Sequence, residues 1–262
     1  MLTVLITVGV TVGAVALLHG RILTLNAEPT KNDEDDSDAD PTTPSTFLLS
    51  ERIVSITTTG FIFLLAFTLG NLWSNHRTAE QAIQTEVAEL ARAAGAAQFL
   101  PPAHRDPILA AVDAYFTSVR EVQWTSMEAG DAMGALRAQS KASGELVGVA
   151  AAAAMEGAET SSAWSSLSTA IDDALASSTV RISQIPSPRT TSVLLLVCGL
   201  GLVNLAMVAA FYPAPLRRNL FLMGVMAAIT ATLVFVVVEA SNPYLGSGAL
   251  KPTMYTFPHG FD

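Results

Sequence analysis

Four histidines, one cysteine, a serine run and an acidic cluster are the residues of this chain whose types suit chemistry. His19, His76, His104 and His259 fall in four separate segments and share no ligand spacing. Cys198 stands alone inside an apolar run, so neither an intrachain disulfide nor a Cys/His metal site follows from it. The serines of 161–168 lack the Gly-x-Ser-x-Gly turn that would present a nucleophile. No glycine pattern for phosphate or dinucleotide binding follows a predicted strand. Glu28, Asp33, Glu34, Asp35, Asp36, Asp38 and Asp40 crowd one stretch, offset by Lys31, and the rest of the chain is close to neutral despite a net charge of −9. An EF-hand needs a glycine turn and a glutamate at its twelfth position, and this run has neither. It reads as a solvated linker. Catalysis, a resident metal, a cofactor and nucleic-acid binding are therefore not expected.

One spacing remains. Thr59, Phe63 and Phe67 recur every four residues inside an apolar run and share one helix face. In a symmetric assembly that face makes rings of apolar side chains, which gate a pore by dewetting. The same residues serve equally well for packing against lipid or a neighbouring helix. Polar residues in such runs are costly unless they face protein or water. Asn71 and Glu239 lie near run ends. Glu239 suits a channel mouth or a membrane-edge anchor, and the more central Asn204 suits an interhelical hydrogen bond.

The elements that must position these residues are helices. Half of the 262 residues are hydrophobic and only 14% are charged, against about 25% in a soluble domain. Apolar runs at 2–18 (extending to 25), 53–73, 190–212 and 220–238 approach or exceed the roughly 20 residues that cross a bilayer. The first lacks a basic leader and a small-x-small cleavage site, so it is read as a retained span rather than a signal peptide. The expected architecture is an all-α membrane protein with four transmembrane helices and a helical extramembrane domain between spans 2 and 3. Its parts are span 1 (1–25), an acidic flexible loop (26–52), span 2 (53–73), the helical domain (74–189), a hairpin of spans 3 and 4 (190–238) and a C-terminal tail (239–262).

Within the helical domain, apolar residues repeat at helical spacing. Ile83, Val87, Leu90 and Ala94 form one stripe, Val112, Phe116 and Val119 a second, and Trp164, Leu167, Ile171 and Leu175 a third. Three or four helices are expected, with breaks at Pro101-Pro102, Pro107, Pro186 and Pro188. No Gly or Pro interrupts 71–94, so the first helix should continue directly from span 2. A short turn over 213–218 should join the last two spans. Charge does not orient the chain. Arg77, Arg92, Arg181, Arg189 and Lys251 on one side balance Arg21, Lys31, Arg52, Arg217 and Arg218 on the other.

From about residue 50 to 250 the chain resembles the bestrophin-like family of bacterial membrane proteins. The likeness lies in the order of its parts: the run from Gly60-Phe61-Ile62-Phe63 to Trp73, then Glu80, Glu86 and Glu89, then Tyr115 and Glu121-Val122-Gln123-Trp124 with Met127. Arg181 before the Pro186/Pro188 break, the final hairpin and Asn242-Pro243-Tyr244-Leu245-Gly246 complete it. The resemblance implies a four-span pentameric anion channel. Its neck would be Phe63-Leu64-Leu65-Ala66-Phe67 with Thr59 one turn earlier, and its termini and helical domain would be cytoplasmic. Two features depart from the family pattern: the acidic loop, and threonines at 57–59 where a proline-rich neck entry belongs. With no acidic clasp in the helical domain, Ca²⁺ regulation is not carried over.

Two functions compete on this reading. One is an oligomeric anion channel in the bacterial inner membrane, with lipid and further copies of itself as partners. The other is a non-catalytic accessory subunit of a larger respiratory or transport complex.

Overall fold

The computed structural model describes residues 45–158, 162–211, 216–246 and 248–256, and these are all helix and turn, with no strand. In chain order they form α1 (Ser45–Ala97), α2 (Pro102–Ser118), a π-helical turn (Val119–Gln123) and α3 (Trp124–Glu128). Then come α4 (Ala132–Met155), α5 (Ser162–Ser183), α6 (Pro188–Phe211), α7 (Leu216–Glu239) and a 3₁₀ turn (Pro252–Met254). They fall into two compact units. Among the described residues, one takes 45–70 and 191–238, the other 71–190 and 239–256.

The first unit is built for a lipid environment. Helix α1 buries Val54, Phe61, Leu65 and Thr68, while α6 buries Val197, Asn204 and Leu205. Both sets recur at helical spacing, so each helix turns one face inward. Gly201 lies where three helices meet. A Cβ there would stand 3.0 Å from the Phe61 ring of α1 and 3.3 Å from Thr230 of α7, so a larger residue would press on both neighbours. The other faces carry exposed Ile62, Phe63, Phe67, Leu195 and Leu196. In water such a surface would be a liability, and in hydrocarbon it is the ordinary outer surface.

Two described helices are long and apolar enough to cross a membrane, within Arg52–Ala97 and Thr190–Met207. The fourth apolar run lies in α7, whose stretch Gly224–Glu239 is apolar but shorter. The first run, with the acidic residues 28–40, lies outside the described residues.

The second unit has a conventional core. Ala79, Ile83, Leu90, Ala93 and Ala97 of α1 pack with Ile108, Val112 and Phe116 of α2, Leu146 of α4, and Leu167 and Ile171 of α5. Helix α1 runs 53 residues without interruption, because 71–94 carries no Pro or Gly to end it. Three boundaries differ from the sequence expectation. α1 begins at Ser45, inside the stretch assigned to the linker, where Phe47-Leu48-Leu49 already favours helix after Pro44. Pro107 sits inside α2 rather than breaking it. It removes one helical donor, that to the Ala103 carbonyl, while burial of Ile108, Val112, Tyr115 and Phe116 holds the helix together. Arg217 and Arg218, expected in the connecting turn, belong to the first turn of α7.

Candidate functional site

Two places gather the residues singled out in the sequence. The first is the outward face of α1. Phe63 is 74% exposed and Phe67 61%. Thr59 is exposed as well, and its hydroxyl donates to the Ser55 carbonyl of its own helix at 2.8 Å. All three stand on the face opposite Phe61 and Leu65, and no described helix of the first unit covers them. Asn204 is apart from them on the buried side, where its Oδ1 accepts from the Thr58 hydroxyl at 2.8 Å and ties α6 to α1. Glu239 ends α7, and its carboxylate lies against Gly246. A Cβ on Gly246 would meet Glu239 Oε1 at 2.5 Å, and its φ of +113° already excludes ordinary L-residues. Asn71 is exposed. Just beyond, Trp73 is 60% exposed, His76 stacks on it, and the Arg77 guanidinium lies 5.9 Å from its ring centre. An amphipathic aromatic and a cation at the end of an apolar stretch are typical membrane-interface anchors.

The second place is a charge pair with no access to solvent. Glu86 of α1 and Arg181 of α5 are both fully buried, with Nε 2.8 Å from Oε2 and Nη2 3.3 Å from Oε1. Two buried charges are tolerated only if every remaining lone pair and proton finds a partner, and here the elements converge to supply them. Tyr115 of α2 donates to Glu86 Oε1 at 2.8 Å, and Tyr255 near the C-terminus donates to Oε2 at 2.5 Å. Arg181 Nη2 donates to Gln123 Oε1 at 2.8 Å, and Nη1 points to the Met127 sulfur at 3.1 Å. The π-helical turn widens the inward arc, so that Gln123 and Trp124 are both buried. The Tyr255 ring lies 5.4 Å from the guanidinium, and Trp124 meets Tyr244 and Tyr255 edge-to-face. Tyr244 donates to the Arg181 carbonyl at 2.6 Å.

This environment holds the charges in place. Burial, the largest single influence, works against a charged Arg181, but the Glu86 carboxylate together with Tyr255 and Tyr115 outweighs it, leaving the guanidinium more basic than usual. Burial first, then the Glu86 carboxylate, pushes the phenols of Tyr115 and Tyr255 far above their ordinary value. Burial does the same for Tyr244. All three remain neutral donors. The cluster thus joins six segments through one ion pair.

Among the described residues no three His, Cys, Asp or Glu side chains come together as a metal-ligand set. His104 approaches Glu156 at 3.5 Å, away from His76. His19 and His259 lie outside the described residues.

Helical throughout its described residues, with outward apolar faces on two bilayer-length helices, the chain has the makings of a membrane protein. The model of the bestrophin-like domain family matches residues 46–255, and the chain belongs to that family. No curated protein and no solved structure matches it. The matched span takes in both the α1 face and every member of the buried cluster.

Proposed function

We propose that this bestrophin-like protein is an oligomeric anion channel in the bacterial inner membrane, with its neck formed by Thr59, Phe63 and Phe67 of α1. The observation that carries the reading is the exposure of this face. Three residues at four-residue spacing project from a bilayer-length helix while the opposite side of that helix is packed. Around a symmetry axis such faces make stacked rings, an apolar constriction with a threonine ring one turn before it. The preference for anions and the cytoplasmic placement of the helical unit rest on the likeness to bestrophins, and other copies of the chain are the intended neighbours of the face.

Two measurements test this. In liposomes the purified protein should conduct chloride, and Phe63→Ala and Phe67→Ala should each change conductance or selectivity. Unaltered flux in both variants would remove them from the pore. Native mass measurement on gently extracted protein should give a homo-oligomer. A single copy held stoichiometrically among other polypeptides, without flux of its own, would replace the channel by an accessory subunit and make the aromatic face its docking surface.

A further inference from the structure

We propose that Trp73, His76 and Arg77 of α1 form a binding site for the phosphate of an anionic phospholipid headgroup. This inference is independent of whether the protein conducts ions.

The three residues stand at i, i+3 and i+4, so they share one side of the helix. Helix α1 runs through them without a break, and the apolar run 53–73 ends at Trp73 itself. A residue four positions further along stands about 6 Å beyond that edge. The headgroup layer on each side of a bilayer is about 5–7 Å deep. With Trp73 at the border of the hydrocarbon, Arg77 is therefore at the level of the lipid phosphates.

The groups around the indole suit an oxyanion. Trp73 is 60% exposed, and the His76 ring stacks on it with centres 6.4 Å apart and 23° between the planes. The Arg77 guanidinium carbon lies 5.9 Å from the indole centre. Contact with an aromatic ring engages the face of a guanidinium and leaves its N–H edge free, the edge that matches two phosphate oxygens. His76 adds a ring N–H donor on the same side. The charge of Arg77 is also uncommitted. Arg92, Arg105 and Arg181 each pair with a carboxylate, whereas among the described residues none pairs with Arg77. Glu80, one turn on, accepts from the Gln84 amide at 3.4 Å. A zwitterionic lipid carries its own cation beside the phosphate and opposes Arg77, so the site selects a headgroup of net negative charge.

Native mass spectrometry of the full chain in detergent, titrated with dioleoylphosphatidylglycerol or dioleoylphosphatidylcholine, tests the proposal. The wild type should retain phosphatidylglycerol in preference to phosphatidylcholine. Arg77→Gln should weaken phosphatidylglycerol binding by roughly fivefold, the effect of one cation at an anionic surface, with the circular dichroism spectrum unchanged. Trp73→Leu, which removes the ring that holds the guanidinium, should act in the same direction by a smaller factor. Arg137→Gln, exposed on α4, should change nothing. Equal retention by the wild type and Arg77→Gln, or no preference between the two lipids, would overturn the proposal. So would a loss in Arg137→Gln as large as in Arg77→Gln, because the attraction would then be diffuse. Binding of inorganic phosphate to the lipid-free protein with the same dependence on Arg77 would replace the lipid site by one for a free anion.

Discussion

The outward face of α1 and the interior around Glu86 treat their informative residues in opposite ways. At Phe63 and Phe67 large apolar side chains are left open in a region whose surroundings are apolar. At Glu86 and Arg181 full charges are closed off inside a helical core. In the first case the fold leaves a surface for something outside the chain, so its meaning depends on lipid and on neighbours. In the second the fold pairs the two charges with each other and closes them off from solvent, so its meaning is conformational. A residue's exposure has to be judged against the solvent that its unit faces.

That contrast yields predictions with effects of very different size. Glu86→Ala should be the most severe, because it strands the Arg181 guanidinium in the core. Losing one partner of a buried pair costs about 3–5 kcal/mol, and circular dichroism melts should show the helical unit collapsed or strongly destabilised. The paired change Glu86→Leu with Arg181→Met should recover much of that loss. A double variant as unstable as the single one would mean that the pair itself, rather than its isolated charge, holds the unit.

Alkaline pH should act next. The phenols of Tyr115, Tyr244 and Tyr255 are raised in the folded chain, whereas unfolded tyrosines ionise near pH 10. The unfolded chain therefore loses protons that the folded one retains. Their contribution is complete below about pH 10 and falls as pH rises above it, by up to about 1.4 kcal/mol per pH unit for each phenol. Tyrosinate absorbance should appear for these residues together with loss of helix. Ionisation well before unfolding would contradict their burial.

Tyr115→Phe removes one donor to Glu86 and should cost about 1.5–3 kcal/mol. In the membrane unit, Gly201→Ala should cost about 1–3 kcal/mol by overpacking against Phe61, read as a lower melting temperature in detergent. Phe61→Leu in the same chain should relieve part of it. Phe63→Ala and Phe67→Ala should move the melting temperature of the isolated protomer least, within about 0.5 kcal/mol, while altering flux. A large loss of protomer stability would place these rings in packing and blur the contrast.

Much of the helical framework was legible in the residues. The stripes through Ile83 and Leu90, through Val112 and Phe116, and through Leu167 and Ile171 are all core faces, because helical periodicity is a local property. The continuity of α1 followed from the absence of breakers in 71–94. Pro107 misled because a proline's effect depends on how much burial surrounds it. The buried pair left a signal that periodicity alone could have exposed. Glu86 falls in register between Ile83 and Leu90, and Arg181 follows Leu167, Ile171 and Ala174 at core spacing, so each occupies a position that the pattern reserves for an apolar side chain.

By itself, the sequence determined that the chain is largely helical, which faces of its helices are apolar, that long runs suit a bilayer, and that residues from about 50 to 250 share the plan of the bestrophin-like family. Those properties depend on neighbours three or four positions away. Only the tertiary structure decided that Glu86 and Arg181, 95 residues apart, are one ion pair, and that Tyr115 and Tyr255 complete it. It likewise decided that Asn204 accepts a hydrogen bond from Thr58. Partnership between distant polar groups is set by where whole helices pack, because a hydrogen bond demands a distance and an angle that no spacing along the chain records.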